Sequence, residues 1–193
     1  MSNLQVVKTY TEEAPPMRFF GLRYTHEDVI EGSFSQQWQE WFASERFEKM
    51  ETLLGGPETF HSLPDDMADS YLGLMRLPAE DDSSADQHLD TFEYWIGRLA
   101  PAGTELPEAM KIEGVDTIDL PESKVAVGWL KGSREAIFGQ EMSVWDALHE
   151  AGIVEAEWPA DRPLVFFERY HDQRFMTEDE EGRIILDIGF YID

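Results

Sequence analysis

Apolar positions along the chain fall into runs of two periods. Met17 to Thr25 (M-R-F-F-G-L-R-Y-T), Asp69 to Pro78 (D-S-Y-L-G-L-M-R-L-P) and Phe92 to Ala100 (F-E-Y-W-I-G-R-L-A) have strand length, strand composition and flanking turn residues. Between the first two, Phe34, Trp38, Trp41, Phe42, Phe47 and Met50 recur at helical spacing. They predict one helix from an N-cap at Ser33 to Leu54, ended by Gly55-Gly56-Pro57. The same series then repeats. Ser123 to Lys131 (S-K-V-A-V-G-W-L-K) reads as a strand, and Gly139-Gln140 opens a helix to about Gly152 with Met142, Trp145 and Leu148 on its apolar side. Leu164 to His171 and Arg183 to Ile192 are strands joined across a charged tip, Thr177 to Gly182. Residues 4–9 read as a short strand or ordered arm, 79–91 as an acidic solvated connection, and Pro101 to Lys111 as a turn-rich crossover. Trp158-Pro159 and Arg162-Pro163 mark a further loop.

Strand, helix, strand, strand therefore occurs twice, in modules of about 15–100 and about 115–193 within one domain. The expected class is α+β. Two pseudo-symmetric β-α-β-β modules form antiparallel sheets, helices pack on one face, and a ligand cleft lies between the modules. Aligning the halves sets Glu168 against Met75, a charged wall facing a soft apolar one.

Charge narrows the partners. Forty acidic residues against 15 basic ones leave a net charge of −25, which argues against nucleic acid and anionic membrane as partners. A surface imitating DNA toward a basic protein is an alternative use of that charge, but a solvated acidic surface is the preferred reading and no protein partner is indicated. With no cysteine, thiolate metal sites and thiol nucleophiles are excluded. His26, His61, His88, His149 and His171 form no metal-ligand spacing, and neither a phosphate-binding loop nor a serine-hydrolase elbow is present, so no metal or cofactor is expected. An N-terminus without a basic, apolar leader and the lack of any long apolar run point to the cytoplasm.

Candidate chemistry centres on L-V-F-F-E-R-Y-H, residues 164–171. Alternation puts Leu164, Phe166, Glu168 and Tyr170 on one face, and Val165, Phe167, Arg169 and His171 on the other. A carboxylate among aromatics is either paired, here with Arg23, Arg76 or Arg98 of a neighbouring strand, or exposed at an edge, or held in a cavity that uses it. In a cavity it is a partly desolvated acid with a raised pKa. It suits a delocalised cation, or a water aimed at an electrophile of low polarity.

Several stretches resemble the gyrase-inhibitor-like, or effector-binding-domain, family. They are F-E-Y-W-I-G-R-L-A-P-A-G-T-E-L-P-E-A-M, D-L-P-E-S-K-V-A-V-G-W-L-K-G, I-F-G-Q-E, F-F-E-R-Y-H-D-Q-R-F and I-L-D-I-G-F-Y-I. The chain is similar in particular to stand-alone members related to cyclopropanoid cyclohydrolases. The resemblance implies the two-module fold, with Glu168 as the polar centre of the cleft. It implies Glu168 and Tyr71 as catalytic residues, with Trp95, Trp129, Phe166, Tyr170 and Met75 around the ligand. The expected activity is water addition to the strained ring of DNA-alkylating cyclopropanoids. The alternative is a non-catalytic multidrug sponge or sensor for hydrophobic aromatic cations. The N-terminal third, with its tryptophan-rich helix, matches less distinctly, and no pocket residue is assigned there.

Overall fold

The computed structural model describes residues 4–76, 93–157 and 164–192. The expected 79–91 connection and the loop at Trp158-Pro159 and Arg162-Pro163 lie outside the described residues. The strands are β1 (Gln5–Ala14), β2 (Met17–Tyr24), β3 (Ser70–Arg76), β4 (Glu93–Pro101), β5 (Asp116–Leu120), β6 (Ser123–Gly132), β7 (Leu164–His171) and β8 (Ile184–Tyr191). The helices are α1 (Ser35–Ala43), α2 (Arg46–Leu53), α3 (Asp65–Ala68), α4 (Glu108–Ile112), α5 (Arg134–Ile137), α6 (Glu141–Glu150) and α7 (Asp172–Phe175).

The class is α+β, as the hydrophobic pattern predicts. The strand, helix, strand, strand order is found as β2-α1/α2-β3-β4 and again as β6-α6-β7-β8. The two sets form one antiparallel sheet of eight strands, ordered β1-β6-β8-β7-β3-β4-β2-β5. Outward from the β3/β7 seam, each half repeats the other: β3-β4-β2-β5 on one side, β7-β8-β6-β1 on the other. The sheet is open, with β1 and β5 at its edges, and short connections link its two ends. β1 ends at Ala14 on one edge, and β2 begins at Met17, next to the opposite edge. Three residues span at most about 11 Å, so the sheet must curl to bring those two strand ends near one another. Leu120 and Ser123, which end β5 and begin β6, make the same short passage in the reverse sense.

Curling gives the sheet an inner and an outer face. Met17, Phe19, Leu72, Leu74, Trp95, Leu99, Val125, Val127 and Phe167 point inward and are buried in one cluster. The helices cover the outer face. Trp38 of α1 reaches Tyr94, Glu51 of α2 binds Arg98 at 2.6 Å, and Val144 of α6 sits where a Cβ on Gly128 would be.

Five local expectations are corrected. The single helix from Ser33 to Leu54 is broken into α1 and α2, because Glu45 adopts φ 54°, a left-handed value that ends one helix and starts the next. The cap position is Phe34; the Ser33 hydroxyl accepts only from the Ser35 N–H, at 3.3 Å. The strand expected at residues 4–9 runs to Ala14, and the expected crossover ends in α4, which the unforeseen edge strand β5 follows. Finally, β7 and β8 are separated by α7 before the charged turn, which Lys131 and Arg183 anchor at Asp179 (2.7 and 3.2 Å).

Candidate ligand-binding site

On β7 the expected alternation is realised: Phe166, Glu168 and Tyr170 face outward, whereas Phe167 and Arg169 face inward. The outward side chains form the floor of a cavity of about 620 Å³. Its walls come from both modules. The loop before α1 and α1 itself bring Phe34, Trp38 and Phe42, while α5, α6 and the turn between them bring Arg134, Phe138 and Glu141. Met75, Tyr94 and Phe175 complete the lining.

Glu168 is 6% exposed and, among the described residues, touches no cation. Tyr94 and Tyr170 donate to its Oε2 at 2.9 and 2.8 Å, and Trp38 Nε1 donates to the Tyr94 hydroxyl at 2.8 Å. Among the described residues nothing donates to Oε1. Burial raises the Glu168 pKa to about 7, helped by the negative charge of Glu141 and opposed by the two tyrosine hydroxyls. Both tyrosines are pushed well above their ordinary value, first by burial and then by Glu168, so they remain donors at neutral pH.

This arrangement depends on what stands across the strand. Glu168 is paired in register with Gly73, and Met75 lies opposite Phe166. A Cβ at Gly73 would overlap the Tyr94 hydroxyl and lie 3.0 Å from Glu168 Oε2. Lacking one, Gly73 lets the Tyr94 ring cross the sheet to the carboxylate. Aromatic faces surround the acid: Phe34 stacks on Tyr94 at 4.3 Å, Trp38 lies 4.2 Å from Tyr170, and Phe175 meets Tyr170 edge-on at 4.6 Å.

Of the residues expected at the site, Glu168, Phe166, Tyr170 and Met75 line this cavity, and Tyr71, Trp95 and Trp129 do not. Tyr71 stacks on Phe47 at 3.8 Å beneath α2. Trp95 points to the inner face, where its Nε1 donates to Glu93 Oε2 at 3.0 Å. Trp129 is also inward, edge-on to Tyr10 at 6.3 Å with the Arg174 guanidinium 4.5 Å over its ring. The arginines considered as partners of Glu168 are engaged elsewhere. Arg23 and Arg76 share Glu93, at 3.0 and 2.7 Å, and Arg98 binds Glu51.

Sequence reasoning missed Tyr94, Phe34, Trp38, Glu141, Phe138 and Phe175. Tyr94 adjoins Trp95, and β4 is buried on both faces, so hydrophobicity could not tell which of the two faces the cavity. The sequence assigns no pocket residue to the helix stripe. It is divided instead: Trp41, Phe47 and Met50 are buried in the core, and Phe34, Trp38 and Phe42 line the cavity. Among the described residues no group of three His, Asp or Glu side chains stands close enough to hold a metal ion. No helix among them is long and apolar enough to cross a membrane.

A curled antiparallel sheet of two like halves, with an acid in an aromatic cavity beneath the helices, defines a fold seen in other proteins. No family model matches the sequence, and no curated protein is significantly similar. Solved structures are similar. SAV2435, solved with tetraphenylphosphonium bound, has a TM-score of 0.56 at 18% identity, over 97% of this chain and 94% of that one. A Staphylococcus aureus MU50 protein assigned provisionally to transcription regulation has a TM-score of 0.54 at 18% identity, over 96% and 98% of the two chains. The C-terminal domain of EcmrR has a TM-score of 0.55 at 10% identity, over 96% and 97%. The architecture agrees with the gyrase-inhibitor-like fold that these proteins share.

Proposed function

We propose that this protein binds hydrophobic aromatic cations, in a cavity between a first module of about 15–100 and a second of about 115–193. One observation carries the reading: Glu168 is buried among aromatic rings with no cationic partner among the described residues. Burying a carboxylate without a counter-charge is unfavourable, and a lipophilic cation supplies what the protein withholds. Phe34, Trp38, Tyr94, Phe166 and Tyr170 offer faces and edges to such a guest, and the softness of Met75 and Phe42 suits molecules of varied outline. The tetraphenylphosphonium held by the similarly folded SAV2435 is a ligand of this chemistry. Titration calorimetry with tetraphenylphosphonium tests it. Glu168→Gln is expected to weaken binding about 10- to 100-fold, the equivalent of about 1.4–2.8 kcal/mol. Unchanged affinity would overturn the assignment.

Hydrolysis of a cyclopropanoid is the second reading, and it draws on the same carboxylate. An acid with a pKa of about 7 whose Oε1 accepts no protein donor is suited to take a proton from water, a role contributing roughly 10²–10⁴-fold. Tyr71 stands outside the cavity, so Tyr94 and Tyr170 are the hydroxyls that would assist. Mass spectrometry of a cyclopropane-bearing indole, incubated with the parent protein and with Glu168→Gln, separates the readings. Water addition by the parent alone supports turnover, whereas dye binding without product supports a sponge or sensor.

A further inference from the structure

The cavity contains a second carboxylate. Glu141 opens α6 and lines the wall contributed by the second module, above the floor that holds Glu168. Burial raises the Glu141 pKa, and the backbone N–H groups of Gly139 and of Glu141 itself, at the helix start, oppose that rise by favouring the ionised form. No lysine or arginine among the described residues forms an ion pair with it. Arg134 is the cation of the cavity lining, and its guanidinium is already engaged: it pairs with Glu178 at 3.3 Å, donates to the Phe175 carbonyl at 3.1 Å and lies 5.1 Å over the Phe175 ring. Two acids, one on the floor and one on the wall, thus face one mainly apolar space with no free positive group among the described residues to answer them.

On this arrangement we infer that the cavity is a two-centre site selective for dications, in which an aromatic cation lies against Glu168 and a second positive centre on the same molecule meets Glu141. The inference rests on the cation-binding reading above and specifies its ligand class. A monocation compensates one acid and leaves the other unanswered within the same low-polarity enclosure. A dication answers both. The charge of Glu141 is also felt at Glu168, whose proton is held more tightly while Glu141 is ionised. A guest that covers Glu141 with positive charge removes that effect and favours the ionised form of Glu168, so the two contacts reinforce one another.

Ethidium and propidium provide the test. They share a phenanthridinium ring, and propidium adds a quaternary ammonium centre on a short alkyl chain. Fluorescence titration at pH 7 and about 150 mM salt, where long-range attraction to the acidic surface is screened, gives the ratio of their affinities. Wild type is expected to prefer propidium. Glu141→Gln, which keeps a carbonyl to accept the backbone N–H groups, is expected to reduce that preference by about tenfold. Ethidium affinity should hold or rise in that variant, because Glu168 ionises more readily, and this also reports that the site is folded. Glu150→Gln, at the far end of the same helix and outside the cavity lining, removes an equal charge and should leave the preference unchanged. An identical preference in Glu141→Gln and wild type would overturn the two-centre site while leaving cation binding at Glu168 intact. Failure of wild type to bind either dye or tetraphenylphosphonium would instead remove the cation-binding reading, and this inference with it.

Discussion

Glu168 links function to stability through one proton. Its pKa rises from 4.5 to about 7 on folding, so between those values the folded protein holds a proton that the unfolded chain has released. The stabilisation from this uptake is fully present at low pH and is lost as pH rises through about 7. Cation binding has the opposite sign, since it needs the ionised carboxyl. The groups facing Glu168 are Tyr94 and Tyr170, which stay protonated, and Glu141, which adds negative charge. Affinity for tetraphenylphosphonium is therefore expected to rise about tenfold from pH 6 to pH 8, measured by calorimetry in buffers of matched ionic strength. Over the same range Glu168→Gln should gain stability relative to wild type. The gain is expected to be about 1–3 kcal/mol at pH 8 and small at pH 5 in urea denaturation.

The helix break at Glu45 shows how an element was misjudged. A continuous amphipathic stripe from Phe34 to Met50 does predict one helix, and no glycine or proline interrupts it. The interruption is a glutamate at φ 54°, a conformation that costs a non-glycine residue roughly 1–2 kcal/mol. It is tolerated because the turn divides the stripe between two tasks. Trp41, Phe47 and Met50 enter the core, while Trp38 remains over the cavity to donate to Tyr94. Glu45→Gly relieves the backbone without moving a buried group, and should raise the unfolding free energy by about 0.5–1 kcal/mol with little change in ligand affinity. β4 presents the complementary difficulty. With both faces buried it carries no alternation to read, and the choice of Trp95 over Tyr94 as the cavity residue failed for that reason.

At the scale of the molecule, the two faces of the curled sheet carry separate polar systems. Outside, Glu168 has no counter-ion among the described residues. Inside, the fully buried Arg169 bonds to Asp187 (3.1 Å), Glu12 (2.8 Å) and the Tyr10 hydroxyl (3.0 Å), joining β7 to β8 and to β1. Arg174 extends the network from Asp187 (2.6 Å) to Asp66 (2.8 Å), tying α7 to α3. Removing Arg169 takes the cation from Glu12 and leaves Asp187 with Arg174 alone. Arg169→Met is expected to cost about 3–5 kcal/mol in urea denaturation, because Asp187 and Glu12 lose their shared partner in a buried setting. A net charge of −25 acts more diffusely. Self-repulsion destabilises the compact state, and the melting temperature should rise as salt increases from about 20 to 500 mM, where the Debye length falls from about 20 Å to about 4 Å.

The sequence by itself determined the two-fold series of strand, helix, strand, strand, and the side of β7 on which Glu168 lies with Phe166 and Tyr170. Both are local properties: hydrophobic period identifies an element, and pleat alternation assigns neighbours on a strand to opposite faces. Only the tertiary structure decided the company that acid keeps. The register between β3 and β7 put Gly73 across from it, the curl of the sheet sent Trp95 and Trp129 to the interior, and the packing of helices from both halves brought Trp38 and Glu141 to its cavity. Those relations join residues far apart in the chain, and they are set by how whole elements share buried surface, a quantity that no short window of sequence contains.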